Sequence, residues 1–102
     1  MIIYEQIRQI AISDNYFSLR YILEENFEDY VSFGIKVVMT DLKTGSCYDS
    51  VAKDITTELE TAEEIYNKIF DCIVTPTTLT EVVEDLICEV LLSEVFIGMA
   101  VS

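Results

Sequence analysis

The chain has 102 residues, of which 51% are hydrophobic and 25% are charged, and its formal net charge is −13. This length fits one domain and excludes a second catalytic domain, and the hydrophobic content excludes a disordered chain. The basic residues are scattered singly along the sequence, which excludes direct nucleic-acid binding through phosphate contacts.

The first part of the sequence predicts an antiparallel hairpin. Residues Ile2–Ile12 are rich in isoleucine, and Ser13-Asp14-Asn15 are typical turn residues. Residues Tyr16–Glu24 then alternate apolar and polar side chains, which predicts a strand with one buried face. In the next segment, Glu24–Asp29, the alternation stops and four acids occur without a base, so we interpret it as a loop.

Two further strands are predicted before the pattern changes. Residues Val31–Leu42 alternate again, and the turn residues Lys43–Ser46 follow them. Residues Cys47–Thr56 predict a weaker fourth strand, in which Val51 and Ile55 mark the buried face. The simplest arrangement is a four-stranded meander.

From Thr57 the apolar period becomes 3.6 residues, which predicts a helix. Its apolar stripe consists of Ala62, Ile65, Tyr66, Ile69, Phe70 and Ile73. Thr57 with Glu60, or Thr61 with Glu64, has the spacing of a capping box at the helix start.

The only proline, Pro76, predicts the end of this helix. Thr78 with Glu81 offers another capping box, and a second apolar stripe begins at Leu79. Its further members are Val82, Val83, Leu86, Ile87, Val90 and Leu91. We therefore predict an α+β fold, a four-stranded antiparallel meander sheet with two C-terminal helices packed on one face.

A single domain over residues 1–102 is predicted, with the sheet at 1–56, the helical pair at 57–92 and an apolar tail at 93–102. The end of the chain, from Leu91 on, has three interpretations: the rest of the second helix, an added strand, or a contact with another chain. Its longest apolar run, Val95–Val101, is shorter than the roughly 18 residues of a membrane span. With no signal peptide at the N-terminus, we expect a cytoplasmic protein.

The side-chain inventory argues against an enzyme and against a bound cofactor. The chain has no histidine, which removes Ser-His and Cys-His catalysis and, with three dispersed cysteines, an ordinary zinc site. We expect Cys47, Cys72 and Cys88 to be reduced and buried. The three glycines stand alone, so no phosphate-binding loop is present. We predict no catalytic residue, metal or cofactor.

The acidic residues form three zones along the chain. They are Glu24, Glu25, Glu28 and Asp29 in the expected loop; Glu60, Glu63 and Glu64 in the first helix; and Glu81, Glu84, Asp85 and Glu89 in the second. Only Glu64 and Lys68 have the spacing of a favourable helical ion pair, so a continuous negative field is expected. Solubility alone is the simpler explanation, and binding to a basic protein surface is the more specific one.

Several short motifs resemble a small domain family of unknown function that is common in Firmicutes. They are Phe33-Gly34-Ile35, Asp54-Ile55-Thr56, Thr75-Pro76 and Val82-Val83-Glu84-Asp85-Leu86. The resemblance covers roughly residues 15 to 88, supports the fold and implies no catalytic residue. By size and charge alone, the chain is also similar to anti-CRISPR and anti-restriction inhibitors.

Two functional hypotheses follow. The first is a non-enzymatic protein whose three acidic zones bind the basic surface of a nucleic-acid-handling partner such as a guided nuclease, and inhibit or regulate it as a nucleic-acid mimic. The alternative is a structural or regulatory module, or a homodimer, that acts through apolar contacts of Val95, Phe96 and Ile97, with the acids serving solubility.

Overall fold

A computed structural model describes residues 1–89 of the chain. Four strands are followed by two helices, and this order confirms the α+β prediction. The elements are β1 (Ile2–Ile12), β2 (Asn15–Phe27), β3 (Val31–Asp41), β4 (Cys47–Thr56), α1 (Leu59–Asp71) and α2, helical over 79–89. The expected tail contacts of Val95, Phe96 and Ile97 lie outside the described residues.

The strands form one antiparallel sheet in the order β1-β2-β3-β4, the predicted meander. A tight turn of Ser13 and Asp14 joins β1 to β2, and Ser13 adopts a left-handed conformation with φ 56°. The predicted loop at Glu24–Asp29 is wrong for its first four residues, because β2 continues to Phe27, which pairs with Val31 of β3. Consecutive acids interrupt the alternation of apolar and polar residues here, but the backbone pairing between β2 and β3 continues.

One face of the sheet carries the core. Alternate residues of β2 and β3 point to this face, where the helices cover them. The buried set of these two strands on the helical side is Leu19, Tyr21, Leu23, Phe33, Ile35 and Val37.

Strand β4 contributes less to the core than its sequence predicts. Ala52 lies opposite Ile35 and packs against the core, whereas Val51 lies opposite Lys36 on the other face. The expectation of a buried Val51 on the core side is therefore wrong. The expectation that Ile55 contacts the core is confirmed.

Helix α1 begins at Leu59 with Glu58 as its N-cap, and no side chain caps it. The predicted capping boxes are therefore wrong, because Glu58 rather than a threonine occupies the cap position. The buried face of α1 consists of Ala62, Ile65, Tyr66 and Ile69, which confirms most of the predicted stripe. Ile73, its last predicted member, lies beyond the end of the helix and is exposed, so that part of the prediction is wrong. At the other end, the Cys72 amide donates to the Lys68 carbonyl and Ile73 turns the chain with φ 54°.

Leu79 and Val83 of helix α2 are buried in the same core. Val82, Leu86 and Ile87 are partly buried and pack against it. The Thr78 hydroxyl donates to the Thr75 carbonyl at 3.3 Å rather than accepting from the first turn of α2. The capping box expected for Thr78 and Glu81 is thus replaced by a turn that closes on Thr75.

Two buried tyrosines connect the helical layer to the sheet. The Tyr21 hydroxyl donates to the Val74 carbonyl at 2.9 Å, and the Tyr66 hydroxyl donates to the Tyr21 carbonyl at 3.0 Å. Burial raises the pKa of Tyr21, and burial with the nearby Glu5 and Tyr21 raises the pKa of Tyr66 to about 12. Both hydroxyls therefore stay protonated donors at neutral pH.

The other face of the sheet has no helix over it in the part of the chain that the structure describes. Ile22 is only 4% exposed there, while Ile7 on β1 is 61% exposed. The two isoleucines differ because Ile22 lies on a central strand and Ile7 on an edge.

The expectation of buried cysteines is wrong, because all three are free and exposed. Cys47 is the first residue of β4, Cys72 is the C-cap of α1, and Cys88 lies on the outer side of α2. The spacing of the cysteines in the sequence does not distinguish these positions from the core.

Candidate functional site

A cleft of about 290 Å³ lies at the end of the sheet where β2 turns into β3. Its walls come from the end of β2, the turn at residues 28–30, the start of β3 and a distorted part of β4. The lining residues are Glu24, Asn26, Glu28, Asp29, Tyr30, Ser32, Lys53 and Asp54. Two stretches of the chain, residues 24–32 and 53–54, thus bring polar side chains together at one place.

A bulge in β4 creates one wall of this cleft. The pairing of β3 with β4 shifts between Phe33 and Ile35, and the inserted Asp54 is left-handed, with φ 51°. Gly34 permits the close approach, since a Cβ there would stand 2.8 Å from the Ala52 carbonyl oxygen. The buried Ser32 hydroxyl donates to Asp54 Oδ1 at 2.6 Å and fixes the carboxylate.

The cleft is strongly negative. Glu24, Glu28, Asp29 and Asp54 contribute four carboxylates, against the single ammonium of Lys53. Like charges held close together raise the local negative potential, and a concave wall of low dielectric focuses it. Such a cleft favours a cationic ligand group over a neutral or anionic one.

The structure separates Glu25 from the rest of the first acidic zone. Glu24 lies opposite Gly34, whereas Glu25 lies opposite Phe33, so their side chains are on opposite faces of the sheet. The Glu25 backbone bonds to Met1 in both directions at 2.8 Å. Of the four acids predicted as one zone, Glu24, Glu28 and Asp29 meet in the cleft and Glu25 does not.

The acids of α1 lie on the helical side of the sheet and have different surroundings. Glu60 is exposed in the first turn. Glu63 accepts a hydrogen bond from the Tyr4 hydroxyl at 3.3 Å, and Glu64 lies 3.9 Å from Lys68 as its spacing predicts. Only Glu60 of this zone is without a side-chain partner among residues 1–89.

The acids of α2 are all exposed, and three of the four are unpaired within the described residues. Glu81, Glu84 and Asp85 have no ion-pair partner there, whereas Glu89 lies 3.6 Å from Lys68. Lys68 therefore stands between Glu64 and Glu89 and joins the two helices electrostatically. Sequence spacing within one helix did not reveal this second contact, because it depends on how the helices pack.

Two further ion pairs cross the open face of the sheet. Arg20 Nε donates to Glu5 Oε1 at 2.8 Å, and Lys36 lies 3.8 Å from Asp49. The hydrogen bond from Arg20 lowers the pKa of Glu5. Each of these two pairs is formally neutral, whereas the acids of the cleft outnumber its single lysine. The continuity of the negative field stays a prediction.

Sequence reasoning missed Tyr30, Lys53 and Asp54 as members of the cleft. Their neighbourhood depends on the β4 bulge, for which the sequence offers only Gly34 as a local signal. Among residues 1–89, no group of three or more Asp, Glu, Cys or His side chains is arranged to hold a metal ion.

A model of a family of unknown function, DUF6514, matches residues 1–89. The chain belongs to this family. The DUF6514 match includes β1, which the resemblance seen in the sequence did not cover, and it agrees with the expected small domain of unknown function. Neither a curated protein nor a solved structure matches the chain.

Membership in DUF6514 assigns no activity to any residue of the cleft. Within residues 1–89, no helix has the length and apolar character needed to cross a membrane.

Proposed function

We propose that this DUF6514 protein is a non-enzymatic binding protein of the cytoplasm, whose acidic cleft binds a basic surface of a nucleic-acid-handling partner. The observation that carries the proposal is the meeting of four carboxylates, three from residues 24–29 and one from β4, in one cleft. Binding there inhibits or regulates the partner by competing with nucleic acid, in the manner of an anti-CRISPR or anti-restriction inhibitor.

The cleft has the chemistry to accept an arginine or lysine side chain. Carboxylates form short, charge-assisted hydrogen bonds with guanidinium and ammonium groups. Tyr30, which is 58% exposed at the cleft wall, adds an aromatic face for a cation. Lys53 limits how much charge accumulates, and Asn26 supplies a neutral hydrogen-bonding group.

The exposed acids of the helices support long-range attraction more than direct contact. Glu81, Glu84 and Asp85 add to the charge of −13 but lie on the helical side of the molecule. A negative field of this size accelerates encounter with a basic partner and loses strength as salt rises. The cleft is therefore the point of contact, and the acids of the helices increase the rate at which a basic partner approaches.

The absence of histidine from the sequence supports a non-enzymatic role, because it removes the commonest general base at neutral pH. The acids of the cleft lie beside Lys53. Asp54 also accepts a hydrogen bond from Ser32. Binding uses these groups as they stand, without a proton transfer.

The test is binding to a purified guided nuclease from a Firmicutes host, measured by fluorescence anisotropy across a salt series. The variant Glu28→Lys with Asp29→Lys reverses two carboxylates in an exposed turn of the cleft. The matched control is Glu84→Lys with Asp85→Lys, which makes the same change of charge on α2.

We expect the cleft variant to weaken binding at least tenfold more than the control and to flatten the salt dependence. Guide RNA should displace the wild-type protein from the nuclease. Equal weakening by both variants would refute the cleft as the docking point, and no binding at low salt would refute the proposal itself.

A further inference from the structure

Strand β1 is an edge of the sheet and is paired on one side only within residues 1–89. Its sequence, from Ile2 to Ile12, contains no proline and no lysine. Ile7 stands at its centre and is 61% exposed. An uncovered edge of this kind is a template for another strand, because its backbone donors and acceptors are unpaired.

The opposite edge of the sheet, strand β4, is protected against pairing with another strand. Strand β4 contains Asp49, Lys53 and Asp54, and its bulge distorts the backbone ladder. Charges and bulges are the usual means by which proteins block pairing at a sheet edge. Of the two edges, β1 is therefore the one that offers a regular ladder, from Tyr4 onward, to a further strand.

The hydrogen bonds of the sheet show which groups of β1 face outward. The Tyr16 carbonyl accepts from the Leu42 amide on the β3 side, so Tyr16 does not bond to Ala11, its partner on β1. Since bonded and non-bonded pairs alternate in an antiparallel ladder, Ala11 and every second residue before it point their backbone groups outward. These residues are Glu5, Ile7, Gln9 and Ala11.

We propose that β1 pairs antiparallel with β1 of a second copy of this chain, with the two-fold axis at Ile7. Ile7 then lies opposite Ile7 of the second copy, and Glu5 lies opposite Gln9. These pairs form about six backbone hydrogen bonds. A two-fold centred on Glu5 or Arg8 is disfavoured, because identical charges would oppose each other.

Arg8 supports this register. Its guanidinium lies 3.8 Å from the centre of the Phe70 ring, and its buried Nε has no hydrogen-bond partner among residues 1–89. The register centred on Ile7 places Gln6 of the second copy opposite Arg8, where its amide oxygen is an acceptor. The pairing thus supplies a partner to a polar atom that the described chain leaves unsatisfied.

The edge strand β1 itself carries no net charge that would oppose a second copy. Glu5 and Arg8 are the only charged residues of β1, so the strand is neutral in a chain with a charge of −13. Long-range repulsion between two acidic copies is screened by salt, whereas the backbone ladder is not. The dimer should therefore strengthen as salt rises, opposite to the binding of a basic partner.

The test is sedimentation equilibrium of the full chain over a dilution series at low and high salt. The variants Ile7→Lys and Ile7→Glu each place like charges opposite one another at the axis. The matched control is Ile12→Lys, which changes an exposed residue at the end of β1 by the same charge. Circular dichroism verifies that each variant is folded.

We expect a dimer for the wild type and the control, and at least a tenfold weaker dimer for either Ile7 variant. Mixing the two Ile7 variants should restore the dimer, because lysine then faces glutamate. A monomeric wild type would overturn the proposal, as would a dimer that neither Ile7 variant weakens. Neither result bears on the acidic cleft.

Discussion

Replacement of Gly34 tests the packing that shapes the acidic cleft. A Cβ at this position would stand 2.8 Å from the Ala52 carbonyl oxygen and 3.4 Å from Lys53 Cα. The shorter distance is 0.6 Å below the 3.4 Å at which ordinary contact begins, and the obstacle is backbone. Gly34→Ala must therefore displace the bulged part of β4.

The expected magnitude combines two opposing effects. Overpacking of this kind costs about 1 to 3 kcal/mol, and the lower entropy of the unfolded alanine variant returns about 0.4 to 1 kcal/mol. With the middle value of each range, the net loss in the free energy of unfolding is about 1.3 kcal/mol. For a chain of this length, each 1 kcal/mol lowers Tm by about 4 to 8 °C.

The assay is urea unfolding followed by circular dichroism, with Gly45 as the comparison. Gly45 has φ 78° and nothing within 4 Å of a Cβ, so only its conformation opposes substitution. Asparagine tolerates that conformation better than alanine does, so Gly45→Asn should be the milder change there. At Gly34 the larger asparagine should be the more damaging one.

The same ranking of alanine and asparagine at both glycines would refute this reasoning, as would a Gly34→Ala variant as stable as the wild type. Because Lys53 and Asp54 follow the displaced carbonyl, Gly34→Ala should also weaken binding at the cleft.

Two further predictions concern the core. Stability should fall as pH rises from about 10 to about 12, because the raised pKa of Tyr66 keeps its proton in the folded state after the unfolded state has lost it. Tyr66→Phe should lower the free energy of unfolding by about 0.5 to 1.5 kcal/mol at neutral pH, because it removes the hydrogen bond to the Tyr21 carbonyl. The stability of this variant should then fall less steeply than that of the wild type between pH about 10 and 12. Urea unfolding at each pH measures both, and an equally steep fall would contradict the prediction. Ile65→Ala should cost about 2 to 5 kcal/mol in the same assay, and equal cost for Leu59→Ala, at a position 41% exposed, would contradict the assigned core.

The fold was predictable where side-chain period and burial agree. Phe33, Ile35 and Val37 of β3 alternate in the sequence and all lie in the core, and the stripe of α1 matches its buried face as far as Ile69. The prediction of a loop failed at Glu24 and Glu25, because β2 extends beyond the part of the sheet that the helices cover with apolar side chains. Backbone pairing continued there without the pattern that normally reveals it.

The site was less predictable because it depends on packing between distant segments. Sequence identified Glu24, Glu28 and Asp29 as acidic neighbours, but Asp54 joins them only through the bulge of β4. Similarly, Lys68 of α1 lies close to Glu89 of α2 only because the two helices pack together. Burial of the cysteines was inferred from residue type, which does not specify which side of an element a residue occupies.

The meander has a consequence for how the protein forms. Each strand pairs with the strand next to it in the chain, and the connections are short. Pairing between neighbouring strands keeps these contacts at a shorter sequence separation than crossover connections would, which favours faster folding. The hairpins can therefore assemble during translation, before the helical segments leave the ribosome. The apolar face of β2 and β3 stays exposed until α1 and α2 have been synthesised, so the helices, which follow the sheet in the chain, shield it from aggregation.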